Sequence, residues 1–265
     1  MPRVESAREA YDSFAAMYDE CNAQNDYEMW LGDVLLPELE KRGLQKGWAL
    51  DVGCGTGRAF GPLLARGWHL FGCDLSSKML TEARQKFGPQ VPLLNLDARD
   101  LPPIQPATEL PQGRAFQLVL LLNDVLNYLT EDGDLEQVFA GVKRNLSPDQ
   151  GLAVFDANTL SLFQRDSASE GADEGGEWEW HRLASPASPG GIFEVRLSGP
   201  GIEAHVHRQR HWTTGQIVEA LGVSGLYCLA VCGQREEHGR ILLSEQSDEE
   251  RDEKTIYIVG PLAPM

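Results

Sequence analysis

Residues 50 to 60 read LDVGCGTGRAF and set three glycines at alternate positions behind an acid: Asp51, then Gly53, Gly55 and Gly57. Glycine turns the backbone through left-handed conformations and lets the main chain approach a ligand closely. A phosphate-binding P-loop would follow its last glycine with Lys and Ser or Thr, but Arg58 and Ala59 follow here. A dinucleotide fingerprint, GxGxxG, places its third glycine one position later. Two more acids end the next two predicted strands, Asp74 in HLFGCDL and Asp97 in NLDARDLP. A carboxylate at the first can accept both hydroxyls of a ribose. One at the second can accept the exocyclic amino group of adenine, with the Ala98 amide reaching a ring nitrogen. Ligands of open α/β sheets bind outside the carboxyl ends of the strands, so these groups suit a ligand carrying adenosine.

The surrounding elements can bring those strand ends together. From Trp48, short apolar runs (WALDVGC, HLFGCDL, VPLLNLDA, FQLVLLLNDV, GLAVFDANT) alternate with helical stretches such as SSKMLTEARQKF and EDGDLEQVFAGVKRNL. Such alternation predicts a mostly parallel, helix-covered sheet, and VLLL is apolar throughout, as a strand buried on both faces requires. Two helices precede it, over residues 4–18 and 26–42, the second bent at Pro37. After residue 160 come a Ser-, acid- and Gly-rich loop and three alternating runs, GEWEWHRLAS, GGIFEVRLSG and IEAHVHRQRHW, which predict an inserted antiparallel meander. TTGQIVEALGVSG resumes the helical pattern, and YCLAVCG and KTIYIVGPL supply the last two strands. In the connection between them, EQSDEERDE carries seven charges in nine residues and predicts a solvated loop. The expected division is a helical cap over 1–44, an α/β core over 45–160 and 213–265, and a lid over 161–212.

Composition narrows the partners. Forty acidic against 23 basic residues give a net charge of −17 over 265 residues, without a basic cluster beyond HVHRQRHW. A nucleic-acid binder needs a basic footprint, so no nucleic acid is expected. Five cysteines without CxxC spacing speak against disulfides or a zinc ribbon. No apolar run reaches membrane-spanning length and the N-terminal residues lack a signal-peptide core, so a cytoplasmic protein without membrane partners is expected.

With LDVGCGTGR, GCDLSSKMLTEAR, NLDARDLP and LLLNDVLNYL in this order, the chain strongly resembles the class I S-adenosylmethionine-dependent methyltransferases, in the branch acting on sugars, amino acids and antibiotics. The resemblance covers roughly residues 45–160 and much of the chain beyond residue 160. It implies a Rossmann-like, seven-stranded, mostly parallel sheet flanked by helices, with the helical cap and the β-meander lid added. It also implies S-adenosylmethionine as the cofactor and S-adenosylhomocysteine as the product. Gly53, Gly55 and Gly57 would pass beneath the methionine arm, with Arg58 next to them, and Asp51 would hold its ammonium. Asp74 would take the ribose, Leu75 and Met79 flank the adenine, and Asp97 and Ala98 read its edge. Asn123, ending the fourth strand, matches the position beside the sulfonium. YDSFAAMYDE resembles a helix of the superfamily, which implies Tyr18 near the ligand's carboxylate and Tyr11 facing the acceptor.

Methyl transfer from a sulfonium needs alignment and exclusion of water, and a hydroxyl acceptor needs a general base more than an amine does. Trp30, helically spaced from Tyr27, can close over the methionine end. In EAHVHRQRHW, His205, His207 and His211 share a strand face, expected to be largely solvated, and His207 is the first choice for a base. HxHxxxH lacks a carboxylate or Cys partner at matching spacing, so no metal is expected. Trp178 and Trp180 can line an acceptor pocket. The expected function is methyl transfer to N or O of a small molecule, natural-product-like or sugar-like, with a lean to an amine because an acidic pocket favours cations. The alternatives are a non-catalytic S-adenosylmethionine-binding protein, an RNA methyltransferase, and a nicotinamide oxidoreductase.

Overall fold

The computed structural model describes residues 6–23, 27–104, 116–164, 171–173, 176–182, 188–199, 202–237 and 240–261; for 171–173, 176–182, 198–199, 202–204 and 240 it describes the backbone only. The strands in chain order are β1 (Trp48–Val52), β2 (His69–Asp74), β3 (Leu93–Asn95), β4 (Leu118–Leu121), β5 (Leu152–Asn158), β6 (Gly171–Asp173), β7 (Gly176–Arg182), β8 (Ile192–Gly199), β9 (Ile202–Arg210), β10 (Leu226–Glu237), β11 (Arg240–Ser244) and β12 (Lys254–Pro261). Eight of them form one sheet in the order β11-β10-β12-β5-β4-β1-β2-β3. β1 to β5 run parallel, and β12, β10 and β11 are antiparallel additions at one side.

The sheet therefore has eight strands rather than seven. The additional one, RILLS, lies just before the charged stretch and pairs with the far end of β10, with Glu237 opposite Arg240. Its run is short and flanked by charge, so its apolar pattern is weak beside that of β4 or β12.

Apolar residues alternate between the two faces of the sheet, as strand geometry requires. Val119, Leu121, Phe155 and Tyr257 pack toward one helical layer with Val138, Phe139 and Ile217. Leu118, Leu120, Val154 and Ile256 pack toward the other with Leu31, Leu35, Phe60, Leu63 and Leu80. β4 and β5 are buried along their whole length.

Helix starts are fixed by side chains. Ser76 caps the Ser77–Phe87 helix by accepting from the Met79 amide, and Thr213 forms a capping box with Gln216 before the Thr214–Val223 helix; such caps contribute about 1 kcal/mol each. The N-terminal segment is less regular than two continuous helices. Ala7–Phe14 and Tyr18–Cys21 are α-helical around one tight turn, and Tyr27–Lys41 contains a wide π turn at Trp30–Leu35 just ahead of Pro37. β6 to β9 form a separate antiparallel sheet of four strands, one more than the three alternating runs suggest.

Candidate active site

The strand order reverses between β1 and β4, where connections leave the sheet in opposite directions. At the carboxyl ends of β1 to β4 lies a cavity open to solvent, with about 1000 Å³ of empty space when the solvent at its mouth is included. The glycine turn forms its floor. Gly53 and Gly55 have φ of +75° and +53°. A β-carbon on Gly53 would stand 2.5 Å from Val125, so here glycine is required both by the backbone and by the close approach of the loop after β4.

Three carboxylates line the cavity. Asp51, one residue before the end of β1, is almost fully buried and is pushed up to about 7 by that burial and by the nearby Asp74. Asp74 ends β2 and is raised to about 6, again by burial. One Asp74 oxygen accepts from the Gly55 amide and the other from the Ser76 amide, both at 2.8 Å, so it also holds the glycine turn to the helix start. Asp97 differs from both. It accepts from Arg99 Nε and Nη2 at 2.9 and 2.5 Å and from the Arg99 amide, and the guanidinium holds its carboxyl below the usual range. Arg99 is a wall residue that sequence reasoning missed; its signal was its place two positions after the acid.

Leu75, Met79, Ala98, Arg58, Asn123, Tyr18 and Tyr11 also line the cavity. Arg58 donates to the Asn22 carbonyl at 3.0 Å and lies over the Tyr27 ring. Burial raises the hydroxyls of Tyr11, Tyr18 and Tyr27, Tyr18 to about 12, keeping all three protonated. The N-terminal helices that carry them are tied down by polar contacts. Ser76 donates to Asp12 at 2.5 Å, Thr56 donates to Asp19 at 2.6 Å, and Lys86 donates to Asp19.

Several sequence expectations require correction. Gly57 does not line the cavity; its α-carbon packs against Phe60 and Phe87, so it shapes the turn from behind. Trp30 is buried among the apolar residues of the helical layer, its ring 5.5 Å from Tyr27, and Tyr27 reaches the wall in its place. The histidine face is not solvated: His205, His207 and His211 are each at most 3% exposed. His207 stands behind the wall, with Nδ1 2.8 Å from the Tyr128 hydroxyl. Burial, and then His205, lower it to about 3, which makes it a poor base at neutral pH. Tyr128, a wall residue absent from the sequence expectation, is what the cavity presents instead. The side chains of Trp178 and Trp180 lie outside the described residues.

Among the described residues, no group of three or more His, Cys, Asp or Glu side chains could hold a metal ion. No helix among them is long and apolar enough to cross a membrane.

Comparison with known proteins agrees with this geometry. Residues 49–149 match the family model described as a methyltransferase domain. The Bacillus subtilis (strain 168) protein YqeM, named for a methyltransferase assignment, is 32% identical over 223 residues, covering 80% of this chain and 84% of its own. A solved S-adenosylmethionine-dependent methyltransferase from Clostridium acetobutylicum superposes with a TM-score of 0.72 at 23% identity, covering 95% of this chain and 99% of that one. CalS10 from Micromonospora echinaspora, an amino pentose methyltransferase solved with S-adenosylmethionine bound, superposes with a TM-score of 0.61 at 18% identity, covering 91% and 95%.

Proposed function

The chain belongs to the class I S-adenosylmethionine-dependent methyltransferases, and from that premise we propose that it methylates a nitrogen of a small, amine-bearing acceptor. The observation that carries this reading is the pair of wall carboxylates beside the glycine turn, Asp51 buried and Asp74 half-buried, both raised by desolvation. Buried acids are costly without partners, and an ammonium and a ribose diol are the partners their chemistry fits.

S-adenosylmethionine supplies a methyl group on a positively charged sulfur, already activated for in-line displacement. Asp51 holds the ammonium of the methionine arm. Asp74 accepts the ribose hydroxyls on the lone pairs its two amides leave open. Asp97 and Ala98 read the adenine edge between Leu75 and Met79, and Arg58 and Tyr18 serve the carboxylate. Asn123 borders the reacting centre. Tyr11 and Tyr128, neutral and half-buried, orient the acceptor and keep water out. Residues 1–44 and 161–212 act as the two parts of the cover, and 45–160 with 213–265 as the donor-binding core.

Nitrogen is favoured over oxygen by the lack of a capable base among the described residues at the acceptor end. His207 lies behind the wall residues Tyr128 and Tyr11 and holds a proton poorly. A neutral amine attacks without deprotonation and releases its proton to water afterwards. The structural neighbour that acts on an amino pentose supports the same class, in natural-product biosynthesis.

The test is product analysis. The protein is incubated with S-adenosylmethionine and paired amines and alcohols (benzylamine and benzyl alcohol, an aminosugar and its parent sugar). N-methyl products with formation of S-adenosylhomocysteine are expected. Products methylated only on oxygen would overturn the nitrogen assignment, and tight S-adenosylmethionine binding without turnover would leave a binding protein.

A further inference from the structure

Immediately after β4 the backbone does something that non-glycine residues rarely do twice in succession. Asn123 and Asp124 both lie in the left-handed region, with φ of +60° and +68°. Such residues persist only where the surroundings hold them, and they gather at functional sites. What holds them is Asp156 on β5, which is 2% exposed. One of its oxygens accepts from the Asn123 amide at 3.0 Å and the other from the Asp124 amide at 2.8 Å. Lys254 on β12 closes the group, donating to Asp124 at 2.5 Å and to Asp156 at 3.1 Å.

Neither Asp156 nor Lys254 lines the cavity, whereas Leu122, Asn123 and Val125 do. The loop presses on the glycine turn as well, since Val125 occupies the space a side chain on Gly53 would need. Its far end is also fixed. Asn127 accepts from the Asn158 amide and donates to the Arg210 carbonyl, both at 2.9 Å, and Trp212 donates to the Leu126 and Leu129 carbonyls. With that end anchored, the conformation at 123–124 decides where Asn123 and Val125 stand.

We propose that Asp156 and Lys254 are positioning residues: by clamping Asn123 and Asp124 in left-handed conformation from behind the sheet, they set the cavity wall at Asn123 and the seat of the glycine turn at Val125. The inference rests on the reading of this cavity as the S-adenosylmethionine site. It predicts that the backbone conformation of residue 124 matters more than its charge.

Three substitutions at position 124 separate those two properties, since each removes the carboxylate and leaves the Asp156–Lys254 pair intact. Asparagine and glycine adopt left-handed backbone readily, while valine resists it. Calorimetric titration with S-adenosylhomocysteine should find Asp124→Asn and Asp124→Gly within about threefold of the wild type and Asp124→Val weaker by about tenfold or more. Equal losses in all three, or no loss in any, would overturn the clamp. Amide hydrogen exchange reads it without ligand. The Asn123 and Asp124 amides should exchange slowly in the wild type and faster in Asp156→Asn, whose side chain offers one acceptor oxygen in place of two. Fast exchange at both amides in the wild type would refute the inference even if the protein bound no S-adenosylhomocysteine, a result that would count separately against the donor-site reading.

Discussion

The floor of the cavity and its roof are made in different ways. The floor is a set of strand ends: Asp51 stands one residue before the end of β1, Asp74 ends β2 and Asp97 lies two residues past β3, and the Gly55 amide of the glycine turn meets the Asp74 carboxylate directly. The roof is made by side chains far apart in sequence. Ser13 meets His205 at 3.2 Å, Phe14 stacks on the same imidazole, and Tyr11 packs edge-on to both Tyr128 and His207. A floor carried by hydrogen-bonded backbone can stay constant while a roof of packed side chains changes, which suits one donor and variable acceptors.

That contrast can be broken by substitution. The largest effect is expected on the floor, where Asp74→Ala removes the acceptor for two amides as well as the ribose contact. An unpaired buried group costs about 1–3 kcal/mol, so S-adenosylhomocysteine affinity should fall by about 100-fold in a calorimetric titration. Gly53→Ala comes next. Its φ of +75° and the 2.5 Å approach of Val125 should lower stability by about 1–3 kcal/mol, read as the free energy of urea unfolding.

On the roof, Tyr128→Phe should leave S-adenosylhomocysteine affinity within about twofold and lower kcat/KM for an amine acceptor by about tenfold, the scale of one hydrogen bond to the reacting partner. A change in donor affinity as large as the change in turnover would erase the division between the two halves. The effect that is smallest at neutral pH concerns acidity on the roof. With His207 lowered to about 3, it stays neutral in the folded protein between pH 6.5 and 3, while the unfolded chain binds a proton there. Its contribution to stability is therefore full above pH 6.5 and lost as the pH falls toward 3. His207→Phe, which removes that titration, should flatten this part of the acid-unfolding curve.

The same contrast explains what could be read from the sequence. The floor is local: a turn of three glycines, an acid at each strand end, and alternating apolar runs that order the strands. The glycines follow Asp51 within six residues, and the other two acids come at the next two strand ends, 23 residues apart each time. Even so, Gly57 proved to shape the turn from behind, because spacing alone does not say which side of a turn faces the ligand. The roof depends on contacts across nearly 200 residues, such as Ser13 with His205. The alternation in HVHRQRH put His205 and His207 on one face of β9, but it could not tell that the N-terminal helix would cover that face; His211 lies just past the strand, buried beside Phe163 and Glu249. Trp30 was misplaced for a related reason: the π turn at Trp30–Leu35 rotates the helix face away from regular spacing. β11 escaped notice because a short edge strand between charged segments carries little apolar pattern.

The central claim is that this cavity takes S-adenosylmethionine with Asp51 on its ammonium, and the pH dependence of S-adenosylhomocysteine binding tests it most directly. Asp51 is raised to about 7 by burial in the free protein, and an ammonium beside it favours the ionised form, so binding must release its proton below that pH. Affinity at pH 6 should then be weaker than at pH 8 by about tenfold, and heats measured in buffers of different ionisation enthalpy should show a proton released. Asp51→Asn should bind weakly at both values. Tight binding that is equal at pH 6 and pH 8, and unchanged in Asp51→Asn, would contradict the account.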